Sequence, residues 1–192
     1  PEMVPLVKKY GARIMVDDAH AIGVLGGGRG TAAHFDMVGE IDLQMGTFSK
    51  SFASLGGFIA GNREVIDFIQ HNARSMIFSA SIPPSNAAAA LAALEIMRDE
   101  PERVERLTVI AEKMRKGYTE LGFDIGTSET PVIPIIVGED MKTFLFWRAL
   151  LDAGVYVNAV ISPATPPGRQ LLRTSYMATH TDEQLDQVLE TL

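Results

Sequence analysis

Apolar residues fall in short, regularly interrupted blocks along the chain, and their spacing switches between that of helices and that of strands. Val4, Leu6, Val7 and Tyr10 give residues 1–10 an apolar side at helical spacing, and Gly11 is placed to end that helix. Residues 13–17 read as a short strand, with Asp17, Asp18 and His20 at its carboxyl end. A loop holding Gly23, Gly26, Gly27, Gly28 and Gly30 follows. A second strand, 41–45, runs into Gly46-Thr47-Phe48-Ser49-Lys50, and a third covers 57–61. The third follows too closely for a helical crossover, so that pair is expected to be antiparallel.

Asn62 is placed to cap a helix carrying Val65, Ile66, Phe68 and Ile69. Pro83, Pro84 and Ser85 open an alanine-rich helix reaching about Met97, and a charged helix over 102–121 stops at Gly122. Beyond it come a strand at 132–137, a helix at 142–153 ended by Gly154, and a strand at 155–161. A stiff proline loop at 163–168, a strand at 171–177 and a helix to Leu192 capped by Thr181 complete the chain. Strands alternating with helices predict an α/β fold. A boundary near 98–101 divides residues 1–98, the end of a larger domain, from a small C-terminal α/β domain at 99–192. A helix leading into a strand at the very start reads as the middle of a domain, so part of any site is expected to lie before Pro1.

Composition narrows the function classes. The chain has 192 residues, 46% hydrophobic and 21% charged, which is ordinary globular composition. Its net charge of −7, with no basic block, points away from nucleic acid. No run of about 18 apolar residues suggests a membrane span, and no signal peptide is recognisable, so a cytoplasmic protein is expected. With no cysteine, a disulfide scaffold or thiolate zinc site is excluded, and the four histidines do not fall at metal-ligand spacing.

The candidate chemistry sits at two strand ends. A carboxylate at Asp17 is placed where open α/β sheets bind ligands, and can keep a heterocyclic nitrogen protonated while His20 lies against the same ring. Aspartate and histidine at strand ends also commonly do no more than cap a loop. Lys50 follows an apolar strand among small residues, and apolar walls there would favour its free amine. Thr47 and Ser49 offer hydroxyls to a phosphate, as do the amides of a tight turn. Taken alone, such a lysine is better read as a surface residue in a flexible loop. Together, an electron-sink partner, a ring neighbour, a phosphate site and an amine meet the protein-side requirements of pyridoxal 5'-phosphate.

With these residues in view, the sequence resembles the α-oxoamine synthase family of fold type I pyridoxal-phosphate enzymes, which have the aspartate aminotransferase-like fold. The resemblance spans the chain through five segments in order: 16–23, 46–50, 55–58, 78–84 and 172–181. It implies that Asp17 contacts the pyridine nitrogen and His20 the ring hydroxyl. It further implies that Thr47 and Ser49 hold the phosphate, and that Lys50 forms the Schiff base and moves the α-proton. Ser79 and the Ala80 backbone would reach the phosphate of the neighbouring subunit, because the family builds its sites at a homodimer interface. Arg173 matches the arginine that holds the amino-acid carboxylate by a bidentate pair.

The implied reaction joins an amino acid to an acyl-CoA with loss of carbon dioxide. Segments 46–51, 78–85 and 162–166 look most like members that join L-serine to palmitoyl-CoA, the first step to sphingoid bases. Ile161 stands where some of those members carry an arginine. Glycine with acetyl-CoA and the synthesis of 8-amino-7-oxononanoate are the alternatives. A non-catalytic subunit is a third, against which the presence of Lys50 argues. A plain aminotransferase of the same fold is a fourth.

Other residues receive ordinary readings. His34, in a loop, and His71, on a helix, read as surface residues. His180 is expected to cap the last helix with Thr181. Phe144, Phe146 and Trp147 are expected in the core. The glycine cluster at 26–30 is not a dinucleotide fingerprint, since it is expected to open no helix.

Overall fold

A computed structural model describes all of residues 1–192. The chain forms two compact units, Pro1–Val104 and Glu105–Leu192. Each is described in turn.

The first unit opens with α1 (Met3–Lys9), which ends in a turn through Tyr10 and Gly11. Its sheet has three strands, β1 (Met15–Asp17), β2 (Leu43–Thr47) and β3 (Gly57–Gly61), in the order β1-β2-β3. β1 and β2 are parallel, and β2 and β3 antiparallel as their short separation required. Asp42 fixes where the parallel pair starts. Its carboxylate accepts from the Ile14 N–H at 2.9 Å and from the Arg13 guanidinium at 2.9 Å. Those two donors, the Ile14 amide foremost, hold the Asp42 carboxyl below the usual carboxylate range.

β2 runs two residues further than the apolar pattern suggested, because Gly46 and Thr47 pair with Phe58 and Gly57. Gly46 admits no side chain there, since a Cβ would lie 2.5 Å from the Phe58 ring.

Helices α2 (Thr31–His34), α3 (Arg63–Asn72), α4 (Arg74–Ile77) and α5 (Pro84–Asp99) complete the unit. Two readings from sequence are corrected here. His34 lies on α2 rather than in a loop, and Gly30 does open a helix, if only a four-residue one. Asn62 does stand at the start of α3, but its side chain makes no capping bond; its carbonyl accepts from Val65 and Ile66 instead. α4 had no periodic signal, and it forms where extended backbone at Ala73 ends α3 and its carbonyl starts a new turn. Pro84 at the first position suits α5, where the missing N–H has no intrahelical role.

The second unit holds α6 (Glu102–Glu120), β4 (Val132–Ile136), α7 (Asp140–Asp152), β5 (Asn158–Val160), β6 (Leu171–Ser175) and α8 (Asp182–Thr191). Its sheet is antiparallel in the order β4-β6-β5. Ile110, Met114 and Tyr118 recur every four residues along α6 and pack with Ile133, Ile135, Leu150, Val155, Val157, Leu172 and Leu185 in one core. Burying each such aliphatic side chain contributes about 1.5–3 kcal/mol. On β6, Leu172 and Thr174 point inward while Arg173 and Ser175 face out.

β5 is shorter than the run 155–161. Val155 instead closes α7, its N–H donating to Leu150, and Val155 and Val157 enter the core before pairing begins. α8 starts with a full capping box between Thr181 and Gln184. His180 takes no part in that box; its Nδ1 accepts from the Met177 N–H. Phe146 and Trp147 pack against the core as expected, whereas Phe144 is exposed.

Candidate active site

The parallel register of β1 and β2 brings two predicted groups to one sheet end. Asp17, the last residue of β1, pairs with Met45, and Thr47 lies two residues further along β2, or about 7 Å at the rise of a strand. Asp17 is exposed, and its Oδ1 accepts from the Ala19 N–H at 2.9 Å, which turns the chain sharply toward His20. His20 is exposed as well.

Beyond Thr47 the chain makes a tight turn back to β3. The Thr47 and Ser49 hydroxyls are hydrogen-bonded at 2.9 Å, and Thr47 Oγ1 also donates to the Gly56 carbonyl at 3.2 Å. The Phe48 N–H donates to Gly56, the Ala53 N–H to Lys50 and the Ser54 N–H to Phe48, at 2.7–2.9 Å. Ala53 closes the turn at φ +48°, in the left-handed region that disfavours a side chain. Such strain persists where surroundings over-determine the backbone, and two anchors do so here. Phe52 is buried edge-on against Phe48, ring centroids 5.2 Å apart. The Ser54 hydroxyl donates to the Asn86 carbonyl of α5 at 2.7 Å.

The apolar side of this turn faces a cavity of about 400 Å³ lined by Phe48, Phe52, Phe58, Ile82, Leu91 and Leu94. Lys50 lies on the other side. The expectation that it sits among apolar walls is corrected: Ser49 and Lys50 are both exposed, because the turn spends its aromatic residues inward and leaves its polar ones outside.

The remaining predicted residues lie elsewhere. Ser79 and Ala80 follow α4, exposed, and the Ser79 hydroxyl donates to the Ser75 carbonyl within that helix. Arg173 belongs to the second unit, exposed in mid-β6 between Pro134 of β4 and Asn158 of β5. It lines a cavity of about 450 Å³ together with Asn158, Ser175, Tyr176 and His180. Under that cavity the Tyr118 and Tyr176 hydroxyls are hydrogen-bonded to each other. Burial, followed by the neighbouring Tyr176, pushes the Tyr118 hydroxyl well above the usual tyrosine range, and burial raises Tyr176 also.

Sequence reasoning gave Asp18 no part beyond capping a loop, and Ser51 and Ser54 none beyond being small residues after Lys50. Asp18 is buried beside the exposed Asp17, and Ser51, next to Lys50, donates to the Ile22 carbonyl at 2.8 Å. The serines carry no signal separable from other turn residues. The doubled acid of Asp17-Asp18 followed by a glycine-rich loop was the one available sign.

The donor set suits a phosphorylated heterocyclic aldehyde. It offers a carboxylate for a ring nitrogen, an exposed amine for the carbonyl carbon, and two linked hydroxyls beside the amine for a phosphate. No group of three or more histidine, aspartate or glutamate side chains is gathered to hold a metal ion.

Comparison with known proteins agrees with this chemistry. The whole chain, residues 1–192, matches the profile of the aminotransferase class I and II family. It is 51% identical over 191 residues to a serine palmitoyltransferase of Sphingobacterium spiritivorum, covering 99% of this chain and 48% of that protein. It is 45% identical over 190 residues to an 8-amino-7-oxononanoate synthase of Symbiobacterium thermophilum, covering 98% of this chain and 48% of that protein. A solved serine palmitoyltransferase with a pyridoxal-phosphate internal aldimine superposes with a TM-score of 0.94 at 38% identity, over 99% of this chain and 48% of that one. The chain thus spans about half the length of the relatives it matches.

Proposed function

The chain belongs to the aminotransferase class I and II family, and on that premise we propose that it is part of a pyridoxal-phosphate acyltransferase. The enzyme joins L-serine to palmitoyl-CoA with loss of carbon dioxide, entering sphingolipid biosynthesis. The observation that carries the reading is the placement of Asp17 and the Thr47–Lys50 turn at neighbouring carboxyl ends of two parallel strands. The 51% identity to a serine palmitoyltransferase supports the choice of substrates. A relative named 8-amino-7-oxononanoate synthase, at 45% identity, supports the second reading, the same reaction class on another substrate pair.

When bound, pyridoxal phosphate supplies a conjugated ring that accepts the electron pair left on the amino-acid Cα. The Asp17 carboxylate keeps a proton on the ring nitrogen, which maintains that electron demand. His20 would lie near the ring and its hydroxyl. The Thr47 and Ser49 hydroxyls, which here bond to the Gly56 carbonyl and to each other, would turn from those partners to donate to the phosphate. The Lys50 amine would hold the cofactor and, as a free base, would take the proton from the amino-acid Cα. Its exposed position in this chain leaves it open to both partners. Arg173 holds the substrate carboxylate through two parallel N–H···O bonds. The enzyme works as a cytoplasmic homodimer in which Ser79 and the Ala80 amide reach the neighbouring subunit's phosphate, consistent with their exposure. No helix is long and apolar enough to cross a membrane.

Lys50→Ala in the full-length protein tests the assignment. Visible absorbance of the lysine-bound cofactor is expected to disappear. An unchanged spectrum would remove Lys50 from the role and the reading with it.

A further inference from the structure

Resting on the cofactor reading above, we propose that Asp18 is a positioning residue: it folds the 19–30 loop across the carboxyl end of β1 and so sets Asp17 and His20 relative to Lys50. Asp18 is only 2% exposed, unlike its neighbours Asp17 and His20. A carboxylate is seldom buried so fully without strong partners.

Every polar group but one of Asp18 is engaged in shaping this region. Its N–H donates to the Met45 carbonyl at 2.8 Å, continuing the parallel ladder one residue past Asp17. Its carbonyl accepts from Ala21 and Ile22 at 2.9 and 3.0 Å, winding the segment that carries His20. Side-chain Oδ1 reaches thirteen residues along the chain to the Thr31 N–H at 3.1 Å, the first amide of α2. Gly30 precedes α2 and has no side chain with which to cap it, so Asp18 caps it from a distance. Side-chain Oδ2 has no hydrogen-bond partner. It packs where a Cβ on Gly30 would stand, and Gly30 at φ +95° is thereby fitted to the carboxylate.

The loop that Asp18 closes is also tied to the lysine turn. The Ser51 hydroxyl donates to the Ile22 carbonyl, four residues beyond Asp18. Gly23 lets the two segments meet, since a Cβ there would lie 2.5 Å from the Ser51 Cβ. A chain of direct contacts therefore runs from Thr31 through Asp18 and Ile22 to Ser51, with Asp17 and His20 beside one end and Lys50 beside the other. Asp18 acts through this frame; it is Asp17, His20 and Lys50 that touch the cofactor.

The test uses the full-length protein with Asp18→Ala, Asp18→Asn and Ser51→Ala. It measures the dissociation constant of pyridoxal phosphate and the pH midpoint of the lysine-bound cofactor's visible absorbance. Misplacing reacting groups by about 1 Å can cost on the order of a hundredfold. Asp18→Ala is therefore expected to weaken cofactor binding about tenfold or more and to move the midpoint. Ser51→Ala, which leaves Asp18 and the core intact, is expected to shift the same two quantities less. Asp18→Asn keeps the Thr31 bond and is expected to fall between wild type and Asp18→Ala.

Leu107→Ala, a buried change in the second unit, serves as the control for lost stability alone. It is expected to lower the melting temperature without moving the midpoint. If Asp18→Ala and Ser51→Ala both bind the cofactor within twofold of wild type at an unmoved midpoint, the positioning role is overturned. If Asp18→Ala fails to fold, Ser51→Ala and Asp18→Asn decide alone by the same criterion. Absence of cofactor binding by the wild type would overturn the cofactor reading itself, an outcome visible before any variant is compared.

Discussion

Within this chain the two units bury their side chains to different extents. The second closes around ten buried residues contributed by α6, β4, β6, α7, α8 and the Val155–Val157 connection. The first buries little beyond Val4, Ala21, Ala32, Phe52 and Ala90, three of them alanines. It leaves Leu91, Leu94 and Ile96 of α5 exposed and its strand ends open. Yet seven of the proposed cofactor residues belong to that first unit, five of them at or just beyond the ends of β1 and β2. The proposed site thus lies where individual hydrogen bonds hold the backbone, and the close-packed side chains lie in the second unit. Arg173 combines the two: its own side chain is exposed, while Leu172 and Thr174 beside it are buried.

Substitutions can break or sharpen this contrast. Leu172→Ala removes a fully buried side chain and is expected to cost about 2–5 kcal/mol. Leu91→Ala, at 57% exposure on α5, is expected to stay within about 0.5 kcal/mol. Denaturant titration of the full-length protein measures both, and equal costs would erase the contrast.

A smaller effect comes from the buried tyrosine pair. Tyr118 has a raised folded-state pKa, so its stabilising contribution is complete below the unfolded value and is lost as pH rises above it. The second unit is therefore expected to weaken from about pH 10 upward. Tyr118→Phe is expected to cost about 1–2 kcal/mol near neutrality by orphaning the Tyr176 hydroxyl. The deficit should shrink above pH 10 in thermal melts. A deficit independent of pH would mean that the pair does not hold the proton as described.

Smaller still, Thr181→Ala deletes the capping box of α8 and is expected to cost about 1 kcal/mol, with cofactor binding unchanged. A change in cofactor binding would show that the end of α8 bears on the site.

Where local spacing decides structure, the sequence was readable. The charged helix stopped at Gly122, the strands near 132–137 and 171–177, and Thr181 as the cap of the last helix all depend on residues within a few positions of themselves. What escaped depends on distant partners. β2 extends to Thr47 only because β3 begins opposite it, and α2 begins where it does because Asp18 caps it from thirteen residues away. His180 could not be read correctly, since two adjacent residues compete for one helix start and the capping box settles it for Thr181.

The placement of the candidate site follows the same division. The positions of Asp17 and Thr47 at neighbouring ends of two strands were legible from the apolar runs that precede them. The exposure of Lys50 was not, because it is decided by which way Phe48 and Phe52 turn.

The most direct test of the account is coenzyme A release by the full-length protein reconstituted with pyridoxal phosphate. Thiol appearance is followed with L-serine plus palmitoyl-CoA and, separately, with glycine plus acetyl-CoA. The account predicts release with the first pair and not the second. Release with the second pair alone, or with neither, would contradict it.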